Sequence, residues 1–180
     1  MKGKKVQENY RVVFSIDDNF ANYLGVTIQS LIDNSDKNKN YTVSILYDKL
    51  SEKSIENLLL LEESNVKIEF YNVCEYLEKL NIEGLDASMH WSVATYYRIL
   101  IPFLFKDDKK VLYMDCDTVI LDDVSKIFEV DLKGAEIAAV FDYDSVCYDK
   151  NRIKYIQNKL KLTDYKKYFN AVLILFDIER

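Results

Sequence analysis

The sequence contains few of the residues that break or cross-link a chain. It has four glycines, one proline and three cysteines among 180 residues. So little glycine and proline argues against linkers and low-complexity tracts and favours one domain with a sizeable core. The cysteines, Cys74, Cys116 and Cys147, are odd in number and none has Cys-x-x-Cys spacing, which indicates neither a zinc ribbon nor a disulfide scaffold. We expect three buried thiols in a reducing cytoplasm.

Several common catalytic motifs are also missing. The chain has no Gly-x-Gly-x-x-Gly, no Gly-Lys-Ser/Thr phosphate loop and no Gly-x-Ser-x-Gly, which removes the dinucleotide fingerprint, the Walker loop and the hydrolase elbow. His90 is the only histidine, and its position is unrelated to any nucleophile motif, so the sequence indicates no Ser-His-Asp triad. A lone histidine is more typical of a structural group or a substrate hydrogen-bonder than of a metal ligand.

The net charge of the sequence limits the classes of partner that we expect. The net charge of −6 disfavours nucleic acid or an anionic membrane surface as the main partner. An acidic protein still binds a phosphate ligand when a metal ion supplies the positive charge. Residues 1–8 are basic but precede no apolar signal-peptide core, and no apolar run approaches a membrane span. We therefore expect a cytoplasmic protein.

Apolar runs and helical periods alternate along the chain. Strands are predicted at residues 11–16, 42–47, 66–73, 111–114, 136–141 and 171–176. Helices are predicted at residues 20–32, 51–63, 75–80, 92–101, 123–128 and 151–162, with Ser51 as a helix cap and Pro102 at or beyond the end of the fourth. This alternation predicts an α/β fold with a mainly parallel sheet and helices on both faces.

Two carboxylates follow the fourth predicted strand. Asp115 and Asp117 come directly after residues 111–114 and before the apolar residues 119–121. Residues two apart in an extended chain point to the same side, so these acids face one way and Cys116 points into the fold. A divalent cation would cancel their repulsion and share its remaining positions with phosphates. Since 18 aspartates give about two Asp-x-Asp pairs by chance, ordinary loop aspartates remain the alternative.

Other polar residues lie where predicted strands end. Residues 17–19, Asp-Asp-Asn, follow the first strand; they either cap the next helix or line the crevice where open α/β sheets bind nucleotides. Arg98 is the one cation of the fourth predicted helix. It is either a surface arginine paired with an acid or a fixed guanidinium near the aspartates or a sugar phosphate.

Four stretches, taken together and in order, resemble glycosyltransferase family 8, which includes bacterial galactosyl- and glucosyltransferases and resembles glycogenin. They are residues 14–21, 92–98, 111–117 and 168–171. The resemblance covers nearly the whole chain. It implies a GT-A fold with a Rossmann-like sheet, a UDP-sugar donor, Mn²⁺ (or Mg²⁺), and retaining transfer of a hexose to a glycan or lipopolysaccharide-type acceptor.

The resemblance also implies roles for individual residues. Asp115 and Asp117 would ligate the metal, Arg98 would reach the donor sugar and Asp115, and no enzyme nucleophile is implied. The implied substrate-binding set is Ser15, Asp17, Asp18, Asn19, His90, Arg98, Asp115, Cys116, Asp142 and Asn170. Within it, Asp17 and Asn19, with Ser15 beside them, would lie against the uridine. Asp142 and Asn170 would lie near the sugar and acceptor, and His90 on the acceptor side.

The sequence departs from the family pattern in two places. Val172 stands where the family has glycine, which adds bulk and disfavours a positive φ. The family's downstream histidine ligand and its phosphate-binding lysine have no counterpart in the sequence. We therefore expect residues 1–180 to be one nucleotide-sugar-binding domain that is truncated at its C-terminus, with any peripheral membrane contact made by the missing segment.

Two other functions stay open at this point. The chain is alternatively a non-enzymatic or incomplete UDP-sugar-binding module. Less favoured is a haloacid-dehalogenase-like phosphatase, in which Asp115 would be the nucleophile. That motif normally ends the first strand, whereas three predicted strands precede it here.

Overall fold

The computed structural model describes residues 9–79 and 93–180. Its strands are β1 (Asn9–Ser15), β2 (Asn40–Tyr47), β3 (Val66–Asn72), β4 (Lys110–Met114), β5 (Ile137–Phe141) and β6 (Phe169–Asp177). They form one sheet in the order β3-β2-β1-β4-β6-β5. β1 pairs in parallel with β2 and β4, and β2 with β3, whereas β6 runs antiparallel to β4 and β5. The predicted mainly parallel sheet is confirmed.

Seven α-helices lie in the described residues. They are α1 (Ala21–Asn34), α2 (Glu52–Leu59), α3 (Cys74–Lys79), α4 (Ile101–Leu104), α5 (Ser125–Phe128), α6 (Tyr143–Cys147) and α7 (Lys150–Asn158). Turns of 3₁₀-helix cover Asp18–Phe20, Val93–Leu100 and Tyr165–Lys167. No helix in this part of the chain is long and apolar enough to span a bilayer.

Helices cover both faces of the sheet, as predicted. Successive side chains of a strand point to opposite faces, so Val12 packs with Leu24 and Ile28 of α1 while Val13 packs with Tyr97 on the other face. All five are at most 1% exposed. Burying an aliphatic or aromatic side chain of this kind stabilises the fold by about 1.5–3 kcal/mol, so the two clusters hold the sheet between its helices.

The fourth predicted helix differs from the structure. Val93–Leu100 is a 3₁₀-helix, and a separate α-helix begins at Ile101 with Pro102 in its first turn. Pro102 lacks an N–H and is tolerated where a helix starts but not in its interior. Pro102 therefore lies just beyond the 3₁₀-helix, which was one of its two predicted positions, and it starts a separate helix. Ser51 does cap α2, since its hydroxyl accepts a hydrogen bond from Ser54 N at 3.2 Å.

Two predictions of burial were too broad. Cys116 is buried, but Cys74 is only half-buried and Cys147 is exposed. Cys147 is the last residue of the short helix α6. In β6 only Ile174 and Leu175 are buried, because the strand leaves regular pairing with β5 near its start.

The strand order places a crevice at β1 and β4. From β1 the chain builds the sheet in one direction through β2 and β3, and β4 then adds on the opposite side. In open α/β sheets, ligands bind outside the carboxyl ends of the strands at such a reversal. Both acid-bearing segments, residues 17–19 and 115–117, follow these two strands.

Candidate active site

A cavity of about 300 Å³ opens beyond the carboxyl ends of β1 and β4. This volume lies at the lower end of the range usual for small-molecule sites. Its lining comes from three parts of the chain: Ser15, Ile16, Asp17 and Phe20 after β1; Ala94, Thr95 and Arg98 from the 3₁₀-helix; and Tyr113, Asp115, Cys116 and Asp117 at the end of β4. We call it the first cavity.

Asp115 is held by two donors from beneath the first cavity. Arg98 Nη2 lies 3.0 Å and the Tyr113 hydroxyl 2.8 Å from Asp115 Oδ1. Burial, together with the neighbouring Asp115 carboxylate, raises the pKa of Tyr113, so the hydroxyl stays protonated and donates to Asp115. Ser15 Oγ lies 3.0 Å from the same phenol oxygen and is therefore the donor in that bond.

Arg98 is fixed on several sides. It also donates to the carbonyls of Thr95, at 2.7 Å, and Ala171, and its guanidinium carbon lies 4.3 Å from the centre of the Tyr113 ring. Its side chain is only 13% exposed. Arg98 is therefore a fixed guanidinium that is paired with one of the aspartates. The alternative of a surface arginine was wrong, because the side chain is largely buried.

The two carboxylates suit a hard cation. Asp115 and Asp117 line the same cavity, as their spacing predicts. Asp115 Oδ2 makes no hydrogen bond within residues 9–79 and 93–180, since the bonds from Arg98 and Tyr113 both go to Oδ1. Two carboxylates with open positions fit Mg²⁺ or Mn²⁺, which commonly share their coordination with phosphates and water. A third metal-binding side chain is not grouped with them in the described residues.

Helix α1 holds the segment that carries the acids. Thr27 Oγ1 lies 2.7 Å from the carbonyl oxygens of both Cys116 and Thr118, so its single hydrogen is shared between them. One and two turns further on, Ser30 Oγ accepts from Ile120 N at 2.9 Å, and Asn34 Nδ2 donates to Ile120 O at 3.0 Å. We call Thr27, Ser30 and Asn34 the α1 ladder; it lies along one side of a helix whose other buried residues are apolar.

The polar residues of the turn after β1 make two different sets of contacts. Asp17 lines the first cavity and accepts from Asn19 N at 2.9 Å, which caps the 3₁₀ turn. Asp18 instead accepts from Ser51 N and Ser51 Oγ, both at 3.0 Å, and these hydrogen bonds lower the pKa of Asp18. Asp18 and Asn19 do not line the first cavity; the role of Asn19 at the uridine and that of Asp18 in substrate binding stay predictions.

A second cavity, of about 460 Å³, adjoins the first. The two share Thr95, Arg98 and Asp115. The remaining lining of the second is Tyr96, Ile99, Asp142, Arg152, Tyr168, Phe169, Asn170, Ala171 and Val172. A ligand that bridges the cavities would cross the Arg98–Asp115 pair.

An irregularity in β6 shapes this second cavity. The partner of Ala139 is Ile174, but the partner of Val140 is Asn170, so residues 171–173 bulge out of the β5 ladder. Bulges re-aim side chains and free backbone groups. Here the Ala171 carbonyl accepts from Arg98, and the Asn170 side chain accepts from Val172 N at 2.9 Å. On the other side of β6, the Val172 carbonyl accepts from Asp115 N at 2.8 Å, which continues the pairing with β4.

Val172, which replaces the family's glycine, fits this backbone. It belongs to β6, and the positive-φ residues other than glycine in the described chain are Lys133 and Lys161. The valine therefore meets no conformational penalty of the left-handed kind. Its side chain is part of the wall of the second cavity.

The structure thus brings together most of the predicted site. Ser15, Asp17, Arg98, Asp115, Cys116 and Asp117 line the first cavity, and Arg98, Asp115, Asp142 and Asn170 line the second. His90 lies outside the described residues. Sequence reasoning missed Tyr113, Thr95, Arg152 and the α1 ladder. A signal existed for the ladder, because Thr27, Ser30 and Asn34 recur at helical spacing.

Cys116 lies between the two acids but is not set up as a nucleophile. It is 8% exposed. Burial, with the nearby Asp117 and Asp115 carboxylates, raises the pKa of its thiol to about 12. Since the thiolate is the reactive form, Cys116 is inert at neutral pH and serves as a packed side chain under the acids.

Comparison with known proteins places this site in a family. Residues 11–180 match glycosyl transferase family 8. General stress protein A of Bacillus subtilis (strain 168) is 33% identical over 178 residues, which cover 96% of this chain and 57% of that protein. The lipopolysaccharide 1,2-glucosyltransferase of Escherichia coli (strain K12) is 25% identical over 175 residues, covering 96% of this chain and 49% of that protein. The chain thus spans about half the length of these relatives.

Solved structures agree. The bifunctional glycosyltransferase WbbM, in its apo form, superposes with a TM-score of 0.83 at 31% identity, over 97% of this chain and 32% of that one. The galactosyltransferase LgtC, in complex with donor and acceptor sugar analogues, superposes with a TM-score of 0.71 at 26% identity, over 93% of this chain and 58% of that one. Both share the GT-A arrangement, and nothing supports the phosphatase alternative. The crevice at β1 and β4, with its paired acids, therefore belongs to a member of glycosyltransferase family 8.

Proposed function

We propose that this chain is the nucleotide-sugar-binding domain of a retaining hexosyltransferase. In this proposal it binds a UDP-sugar in the first cavity and presents the hexose, glucose or galactose, to a glycan or lipopolysaccharide-type acceptor in the second. The observation that carries it is the Arg98–Asp115 pair, which forms the shared wall of two cavities at the reversal point of the sheet. A cytoplasmic location and a peripheral membrane contact stay predictions.

Asp115 and Asp117 would hold Mn²⁺ or Mg²⁺ against the donor's diphosphate. Breaking the bond to the anomeric carbon leaves negative charge on that diphosphate, and a bound metal stabilises this charge as a Lewis acid. The protein's own part is preorganisation. Arg98 and Tyr113 fix Asp115 before any ligand arrives, so little reorganisation is needed when the charge develops.

The remaining residues position the substrates. Ser15 and Asp17 would face the nucleoside side of the first cavity, and Asn170 and Asp142 the hexose in the second. Asn170 is oriented by its bond to Val172 N, which leaves its amide nitrogen to donate to a sugar oxygen. For retention we infer attack of the acceptor hydroxyl on the face that the diphosphate leaves, with the leaving phosphate taking the proton.

Calorimetry with UDP tests the proposal. We expect saturable UDP binding in Mn²⁺ that weakens at least about tenfold in EDTA, since ligand loss at a metal site has effects of that size. Asp117→Asn should weaken binding in Mn²⁺ and leave the residual binding in EDTA unchanged. Asp122→Asn is the matched control, because Asp122 lies in the same loop but pairs with Lys126 at 2.7 Å. Equal UDP affinity of Asp117→Asn and the parent in Mn²⁺ would reject the metal clamp.

A UDP-sugar-binding module without transfer activity is the second candidate. It is favoured by the grouping of only two metal-binding carboxylates in the described residues. Release of UDP from UDP-glucose or UDP-galactose by the 180-residue chain, measured in Mn²⁺ with a coupled assay, separates the two. Binding without any turnover would fit the module.

A further inference from the structure

The second cavity contains a cation that the proposed chemistry does not use. Arg152, in the first turn of α7, lines this cavity together with Arg98. Its Nη2 donates to the Tyr168 hydroxyl at 3.0 Å. Its guanidinium carbon lies 5.6 Å from the ring centre of Tyr155 and 5.7 Å from that of Tyr168. Two aromatic faces and one hydrogen bond therefore hold the guanidinium in place at the cavity wall.

Within residues 9–79 and 93–180, Arg152 forms no salt bridge. Arg98, the other arginine of the cavity, forms one with Asp115 at 3.0 Å. The side chain of Arg152 instead donates to the Tyr168 hydroxyl in this part of the chain. A guanidinium presents five N–H donors in a rigid fork that fits phosphate and carboxylate oxygens in a bidentate manner. Since Arg152 lines the second cavity, a ligand there can accept from the N–H groups that do not bond to Tyr168.

The position of Arg152 indicates the chemical class of the ligand that it would bind. The donor's diphosphate belongs with Asp115 and Asp117, and Arg152 does not line the first cavity. The wall around it also carries Tyr96 and Phe169, whose side chains are 36% and 39% exposed. Partly exposed aromatic rings offer apolar faces on which a sugar ring can pack. A sugar that bears a negative group would satisfy both features.

We propose that Arg152 and Tyr168 form an anion subsite that selects acceptor sugars carrying a phosphate or a carboxylate. This inference rests on the proposed function, because it assigns the second cavity to the acceptor. The fixed guanidinium supplies charge and bidentate geometry, and the Tyr168 hydroxyl orients it. A neutral acceptor would give the half-buried Arg152 no counter-ion beyond those of the protein, and the described residues provide none within salt-bridge distance.

Titration of the 180-residue chain with three small sugars tests the subsite. The probes are glucose 6-phosphate, glucuronate and neutral glucose, each followed by NMR chemical shifts in saturating UDP and Mn²⁺. We expect at least one anionic sugar to bind tenfold or more tightly than glucose, and the tighter of the two identifies the anion. If neither binds more tightly than glucose, the inference is wrong, and this comparison requires no variant.

Variants then assign the effect to Arg152. Arg152→Gln should abolish the preference for the anionic sugar, and Arg152→Lys should retain part of it. Lys154→Gln should leave the preference intact, because it removes the same charge from an exposed position of α7. Equal loss in Lys154→Gln and Arg152→Gln would overturn the proposal. UDP affinity is measured in the same samples. A parent chain that does not bind UDP refutes the proposed function. Loss of UDP binding in Arg152→Gln alone would mean that Arg152 binds the donor, and it refutes the subsite.

Discussion

At the residue scale, the decisive group is the Asp115 carboxylate and the donors that fix it. One oxygen accepts from Arg98 and Tyr113. A charged donor and a buried phenol together fix the carboxylate more firmly than solvent would, because hydrogen bonds are stronger where water is excluded. The phenol is thus a positioning group for the proposed metal site.

Replacing Tyr113 with phenylalanine tests this role. Tyr113→Phe keeps the ring under Arg98 but deprives Asp115 and the buried Ser15 hydroxyl of a partner. We expect a loss of about 1–2 kcal/mol in the free energy of unfolding and about tenfold weaker Mn²⁺-dependent UDP binding, measured by urea titration and calorimetry. Tyr76→Phe is the control, since Tyr76 is 42% exposed. Unchanged UDP affinity would make Tyr113 a purely structural residue.

Thiol reactivity provides a second prediction at this scale. Cys147 is exposed, whereas Cys116 is buried with its pKa raised to about 12. At pH 7.5 iodoacetamide should therefore modify Cys147 rapidly and leave Cys116 unmodified until the chain unfolds. Peptide mapping after timed labelling measures both. Fast modification of Cys116 in the folded chain would contradict the burial of the segment between the two acids.

At the scale of elements, helix α1 determines where the acidic loop lies. The segment after β4 forms no strand, and Val119 and Leu121 are 62% and 83% exposed. Its inward-facing residues Cys116 and Ile120 are 8% and 5% exposed and belong to the core. The α1 ladder in addition anchors its carbonyls and one amide by hydrogen bonds.

Removing one hydroxyl of the α1 ladder should affect both the stability of the fold and the binding of UDP. Thr27→Val keeps the shape but leaves the Cys116 and Thr118 carbonyls without their shared donor, at a cost of about 1–3 kcal/mol. We also expect weaker UDP binding in Mn²⁺, because the loop that carries Asp115 and Asp117 loses an anchor. Gln29→Ala on the exposed side of α1 is the control. If Thr27→Val lowers stability but binds UDP as the parent does, the ladder supports only the fold.

At the scale of the whole molecule, one buried arginine ties four parts of the chain together. Arg11 of β1 bonds to Ser44 of β2 at 2.6 Å, to Glu69 of β3 at 2.7 Å and to Asp108 before β4 at 2.7 Å. Its side chain is 14% exposed. A charge in this position requires its partners, because a buried ion without a counter-ion is costly.

The network makes stability depend on acid pH. Burial would raise the pKa of Glu69, but hydrogen bonds from Arg11 and Tyr71 outweigh it, and the pKa lies below the usual 4.5. The unfolded chain then binds a proton before the folded one does, so this contribution is complete above about pH 4.5 and is lost as the pH falls below it.

Glu69→Gln should remove that dependence. We expect the free energy of unfolding of Glu69→Gln, from urea titrations between pH 3 and 6, to fall less steeply with acid than that of the parent. Glu56→Gln, at an exposed position of α2, should keep the parent's slope. Identical slopes for all three proteins would show that Glu69 has the same pKa in the folded and unfolded chains.

The sequence by itself determined the layers of this fold and the direction of its acids. Short β-branched runs alternating with helical periods predicted all six strands, and most predicted strand ends lie within one or two residues of the observed ends. The prediction works because the side-chain period reports which face is buried. The two-residue spacing likewise placed Asp115 and Asp117 in one cavity with Cys116 buried beneath them. These features depend on local geometry, which neighbouring residues in the chain specify.

Only the tertiary structure decided which distant groups meet. Arg98 reaches Asp115 and the Ala171 carbonyl, and Thr27 reaches Cys116, across 17, 73 and 89 positions of the chain. No local period encodes such contacts, because they depend on strand order and on the bulge in β6. The same holds for Asp18, which the structure uses at Ser51, and for Arg152, whose place in the second cavity follows from how α7 packs against Tyr168.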